Sequence, residues 1–198
     1  MVAARLARLA AAVALTVGMF AGGSTALAAQ GHVHRAAGAR VCRGAGLRPT
    51  RHNLRLIRAA TLCLVNRERT ARGERPLRPN RRLVRAARAH SENMAVDDYF
   101  EHTGPRGQTP LARLRAVGYV SRSRGYEVGE NIAWGTLGLA TPRAIVAAWM
   151  ASPGHRANIL DARFRETGIG VSPHPPTSLA HGQPGAIYTQ DYGVITGG

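Results

Sequence analysis

The sequence contains no lysine. All 27 basic residues are arginine, set against 11 acidic ones, and the formal charge is +16. A guanidinium forks onto phosphate or carboxylate, so this imbalance points either to anionic partners or simply to a solvated basic surface. Aromatic residues make up only 5% of the chain, with few in the arginine-rich stretch from Arg48 to Arg88. Base stacking has little to work with there, so any nucleic-acid binding would be nonspecific. Cysteine is nearly absent too: Cys42 and Cys63 are the only two. Neither neighbours a histidine and there is no second pair, which argues against a thiolate metal site or a cysteine nucleophile. The nucleophile-elbow pattern of serine hydrolases is missing, and no internal repeat is visible.

What is present begins with a leader. Arg5 and Arg8 form a charged start, Leu9 to Phe20 an apolar middle too short for a membrane span, and Ala26-Leu27-Ala28 a small-residue cleavage site. Residues 1–28 therefore read as a signal peptide, 29–52 as a flexible arm without period, and 53–198 as one folded domain. Loss of Arg5 and Arg8 would leave a charge of +14. The mature protein is expected to be secreted, extracellular and monomeric. In an oxidising compartment Cys42 and Cys63 most simply form one disulfide, with two buried free thiols as the alternative. The bond would span 21 residues and stabilise by about 3 kcal/mol on chain-entropy grounds.

Periodicity predicts a first helix from Asn53 to Arg72, with Leu54, Ile57, Thr61, Leu64 and Val65 inward, arginines opposite and Gly73 as the stop. Arg75 to Pro79 reads as an extended connector. Asn80 caps a second helix to about Tyr99, whose stripe of Leu83, Ala86, Ala87, His90 and Met94 makes His90 a core residue. Thr109-Pro110 and Thr141-Pro142 each open a helix. Glu127 to Gly135 reads as a strand or crossing segment, with the polar pair Glu130-Asn131 inside an apolar run. Burying that pair is costly unless it is hydrogen-bonded or faces a cavity. Pro153 and Gly154 then break one helix from the next and set His155 in a first turn. Glu166 to Val171 and Ala186 to Tyr192 are strands, joined by a hairpin loop.

His102, on a polar loop beside Phe100, joins Glu130 and His155 as the candidates for a shared site. Two imidazoles and a carboxylate suit a divalent cation such as zinc, with His102 and His155 as metal ligands. They equally suit a general base with its orienting partner. His32 and His34 are spaced by two, but no further ligand follows them.

Phe100-x-His102, Gly129-Glu130-Asn131-Ile132, the run from Trp149 through Ser152-Pro153-Gly154-His155-Arg156-x-Asn158-Ile159-Leu160, and Gly168-Ile169-Gly170-Val171 together resemble the CAP domain. That family takes in cysteine-rich secretory proteins, venom antigens and pathogenesis-related proteins, and the chain is similar to its short bacterial branch. The resemblance implies a three-layer α/β/α sandwich with a central, mainly antiparallel sheet, and a cleft lined by two His and two Glu. His102 resembles the first cleft His, Glu130 the first Glu and His155 the second His. The second Glu has no match; Ser152 stands nearest its place.

Members of the family are mostly regarded as secreted binding or effector modules, some similar to sterol and lipid carriers. The expectation is thus a non-enzymatic exported module without catalytic residues. Its cleft of His102, Glu130, His155 and Ser152 would take a small ligand or cation, and its basic surface anionic wall or membrane components. The alternative is a metal-dependent hydrolase in which a cation at His102 and His155 polarises water and Glu130 is the base.

Overall fold

The computed structural model describes residues 41–121 and 125–196. The expected signal peptide, and the expected arm as far as Arg40, lie outside the described residues. From Val41 onward the arm is fastened. Cys42 and Cys63 form a disulfide with Cα atoms 5.6 Å apart, and Ala45 accepts a backbone hydrogen bond from Arg143 at 2.9 Å.

Helix α1 spans Leu54–Thr70, and Gly73 follows it at φ 79°. Ile57, Thr61 and Val65 are buried as the pattern predicts, Ala60 is buried with them, and Leu54 and Leu64 are half-buried. Arg69, expected on the solvent side with the other arginines, is fully buried. Its guanidinium donates to the carbonyls of Arg75 (2.7 Å), Ile159 (2.6 Å) and Asp161 (3.0 Å). It therefore satisfies chain-end carbonyls instead of pairing with an acid.

The connector after α1 contains a strand that the sequence reading left out. β1 (Arg78–Pro79) pairs in parallel with the start of β3 (Glu166–Ser172). Asn80 then caps α2 (Arg81–Val96), accepting from the backbone N–H groups of Arg82 at 2.9 Å and Leu83 at 3.4 Å. Thr109 and Thr141 cap α3 (Pro110–Ala116) and α4 (Pro142–Ala151) in the same way, each with proline at the first helical position. β2 runs Gly125–Thr136 and leads through a 3₁₀ turn, Leu137–Ala140, into α4. α5 (Pro153–Leu160) follows α4 with only Ser152 between them. The hairpin loop between β3 and β4 (Gly185–Thr196) holds a single helical turn, α6 (Thr177–Ala180).

The sheet order is β1-β3-β4-β2, antiparallel except for the β1–β3 edge. Strand alternation feeds two layers. Ile169, Val171, Tyr188 and Tyr192 pack with Ile57 and Val65 of α1, Ile145 and Trp149 of α4 and Ile159 of α5. On the other face Gly168 and Gly170 of β3 lie directly beneath α2. A Cβ at either glycine would overlap helix backbone at Leu83 or Ala87. These two glycines let α2 approach the sheet more closely than any side chain would allow. The result is the expected three-layer α/β/α sandwich.

Candidate functional site

Glu130 and Asn131 are neighbours on β2, so their side chains leave opposite faces of the sheet. Glu130 points into the α2–α3 layer. Its Oε2 accepts from Arg113 Nη2 of α3 at 2.6 Å, and its Oε1 accepts from His102 Nδ1 at 2.7 Å. Arg113 also donates to the His102 carbonyl at 2.9 Å and the Gln108 carbonyl at 2.6 Å. One guanidinium thus braces both the carboxylate and the loop that carries the imidazole. Burial works against the Glu130 charge, but the His102 hydrogen bond and the Arg113 cation outweigh it and hold the carboxyl below its ordinary range. An ionised carboxylate only accepts, so the His102 ring presents an Nδ1–H to Glu130.

Asn131 points the other way, into the α4–α5 layer, and is fully buried. Its Nδ2 donates to the His155 carbonyl at 3.0 Å and to Tyr192 Oη at 2.9 Å. Asn158 of α5 donates to Asn131 Oδ1 at 2.8 Å and to the Glu130 carbonyl at 3.2 Å. The Trp149 indole donates to the Ile132 carbonyl at 3.1 Å. The polar pair inside an apolar run is hydrogen-bonded on both faces, which offsets its burial cost. These bonds also explain the long motif after Trp149: its aromatic and its asparagine fasten β2, and His155 is held between them. Burial and the nearby His102 push the His155 imidazole below its ordinary value, so it is neutral at pH 7.

Phe100, Glu101, His102, Thr103, Ile132 and His155 line a cleft of about 490 Å³. His102 and His155 therefore share one wall space, and Glu130 stands behind His102 as its anchor. Ser152 does not line this cleft. It caps the start of α5 through its carbonyl, which accepts from Arg156 N at 2.9 Å. The other carboxylate at the rim, Glu101, is exposed.

Residues that sequence reasoning left out complete the site from behind. Arg113 is one. Asp191, in register with Glu130 across β4, is another: it is 1% exposed. Burial first, and the Glu130 charge second, drive its carboxyl well above the ordinary range, so it holds its proton. His90, expected in the core, is there at 1% exposure, 3.9 Å from Glu130 Oε1. Burial lowers it to about 4, so it too is neutral.

As placed, the donor set does not fit a resident metal. Both Glu130 oxygens are engaged, which leaves two imidazoles where a catalytic zinc site has three protein ligands. Among the described residues no group of three or more His, Cys, Asp or Glu is placed to hold a metal ion.

The profile of the cysteine-rich secretory protein (CAP) family matches residues 62–192. The uncharacterized protein YkwD of Bacillus subtilis is 35% identical over 129 residues, which cover 65% of this chain and 44% of that protein. An extracellular, SCP-domain protein of Bacillus anthracis is similar in structure, with a TM-score of 0.57 and 25% identity over 73% of this chain and 43% of that one. An outer surface protein of Borrelia burgdorferi shares the fold at a TM-score of 0.56 and 17% identity, over 73% of this chain and 94% of that one. The chain spans less than half the length of the curated relatives it matches.

Proposed function

Starting from a chain that belongs to the cysteine-rich secretory protein (CAP) family, we propose that it is an exported, non-enzymatic binding module. The leader from Met1 to Ala28 and the extracellular relative in Bacillus anthracis support export. In this reading the cleft between His102 and His155 takes a small ligand, and the arginine-rich exterior takes anionic components of the envelope.

The observation that carries the reading is the occupation of Glu130. A general base needs a free lone pair within reach of its proton. Each carboxylate oxygen of Glu130 accepts one bond, from Arg113 or from His102. The side chain, 2% exposed, stands behind His102 and does not line the cleft, so its remaining lone pairs do not face a ligand there. Glu101 is the remaining carboxylate of the cleft, and it makes no side-chain hydrogen bond among the described residues that would orient it. A cation entering the cleft would find two imidazoles and otherwise water, which favours weak, exchangeable binding over a held cofactor.

The test uses the purified mature protein. Peptide, ester and nucleotide substrates are offered with and without zinc, and binding of a small-ligand library is followed through the imidazole resonances of His102 and His155. Ligands that shift both imidazoles without turnover are expected. Turnover lost on changing either His102→Ala or His155→Ala, or zinc retained stoichiometrically through dialysis, would replace this reading by the hydrolase.

A further inference from the structure

A second groove, of about 610 Å³, lies away from the histidine cleft, where β1 meets the ends of β3 and β4. Arg75, Arg78 and Arg165 stand around it, and Leu77, Val194 and Ile195 supply apolar surface. Within the reading of a basic exterior given above, we infer that this groove is where the protein binds a polymer of phosphodiesters.

Two exposed arginines outside the groove have acids beside them: Arg72 meets Glu68 at 2.6 Å, and Arg163 meets Asp161 at 2.6 Å and Glu127 at 2.7 Å. Arg75, Arg78 and Arg165 have no carboxylate within ion-pair distance among the described residues. The one acid that lines the groove, Glu166, has its oxygens engaged by Asn80 Nδ2 and Tyr119 Oη, both at 2.9 Å. Three guanidinium groups thus line one groove without a carboxylate at ion-pair distance, and an external anion would supply the counterion.

The positions are also set in advance. Arg78 N donates to the Arg165 carbonyl at 2.9 Å, and Arg165 N donates to the Gly193 carbonyl at 3.1 Å, so the ladder fixes both backbones. The Arg165 guanidinium is steadied by the carbonyls of Ala162 and Phe164. Guanidinium forks on partly apolar ground favour phosphate, which they meet through two parallel bonds.

A polymer is favoured over a single headgroup because the free charge continues along the chain. Asn80 caps α2 immediately after β1, and Arg81 and Arg82 of its first turn are exposed with no acid partner among the described residues. A run of fixed cations is matched by a run of phosphates.

The experiment compares the full-length mature protein with two charge-matched triples. Arg75→Gln, Arg78→Gln and Arg165→Gln alter the groove. Arg43→Gln, Arg55→Gln and Arg67→Gln remove the same charge elsewhere. Probes are poly(glycerol phosphate), polyglutamate of equal charge, and phosphatidylglycerol–phosphatidylcholine vesicles, each across a salt series. The groove triple is expected to bind poly(glycerol phosphate) at least about tenfold more weakly. Its log–log salt slope should fall by about three, one per arginine, and the control triple should change far less. The double variant Arg75→Gln, Arg78→Gln spares the Arg165 hydrogen bonds and gives the same answer if the triple is unstable. Equal losses in the two triples would overturn the groove while leaving a diffuse basic exterior intact. Preference for vesicles or polyglutamate, lost in the groove triple, would overturn the phosphodiester polymer as occupant. Absence of binding to every anion at low salt would overturn the basic-exterior reading itself.

Discussion

Glu130 and Asp191 are cross-strand partners on β2 and β4, two carboxyls in register inside one layer of the sandwich. Only one of them is charged. Glu130 has Arg113 and His102 to stabilise its anion, and Asp191 has burial and the Glu130 charge to keep it protonated. A raised carboxyl value means that the folded state binds a proton the unfolded chain releases. The stability tied to that proton is complete below the ordinary aspartate range and declines as pH rises through the folded value. Asp191→Asn copies the neutral acid in shape. It is expected to match or exceed the parent in thermal stability at pH 8, whereas Asp191→Ala falls by about 1–3 kcal/mol through the lost polar contacts. Thermal melts at pH 5 and pH 8 check this. A marked loss in the Asn variant at pH 8 would mean that Asp191 is needed as an anion.

Removing the brace is expected to cost more. Arg113 Nη2 sits 2.6 Å from Glu130, and both side chains are buried. Arg113→Ala leaves an uncompensated buried carboxylate and should destabilise by about 3–5 kcal/mol. The parent gains stability from the depressed Glu130 value above the ordinary glutamate range and loses it as pH falls through the folded value. Urea denaturation between pH 3 and pH 7 should therefore show a smaller acid-side slope in the Ala variant.

His90 gives a separate acid signature. Its imidazole is lowered to about 4 by burial. The unfolded chain takes up that proton below the ordinary histidine range, so stability should decline between about pH 6.5 and pH 4, by at most about 3 kcal/mol. His90→Gln should flatten this window. An unchanged profile would show that the ring is protonated in the folded protein.

At Gly170 the prediction is steric. A methyl group there meets the Ala87 carbonyl on α2. Gly170→Ala should lower the urea midpoint by the equivalent of about 1–3 kcal/mol. An Ala variant as stable as the parent would show that the helix can move away from the sheet at little cost.

The local signals were legible in the sequence. Asn80, Thr109-Pro110, Thr141-Pro142 and the Ser152-Pro153-Gly154 break each act within one turn of the chain, and each helix begins where its cap stands. His102, Glu130 and His155 were recognisable as a set through their motifs, and the structure places the two imidazoles on one cleft with Glu130 behind His102. Ser152, grouped with them, does not line that cleft. Arg69 and Arg113 were hidden because an arginine among arginines on a helix reads as solvent-facing. Their partners are carbonyls and a carboxylate up to 95 residues away, and no local periodicity reports those. β1 was hidden for a similar reason: two residues have no period of their own, and the pairing comes from β3.

The alternation of β2 has a mechanical consequence for the cleft. His102 is tied through Glu130 to the layer of α2 and α3, and His155 is tied through Asn131 to the layer of α4 and α5. The two imidazoles are the tips of a caliper whose jaws are the outer layers and whose pivot is a single peptide unit. The spacing of the two backbones that carry them is set by how the two layers sit on β2. A ligand held between them therefore touches both outer layers of the sandwich at once.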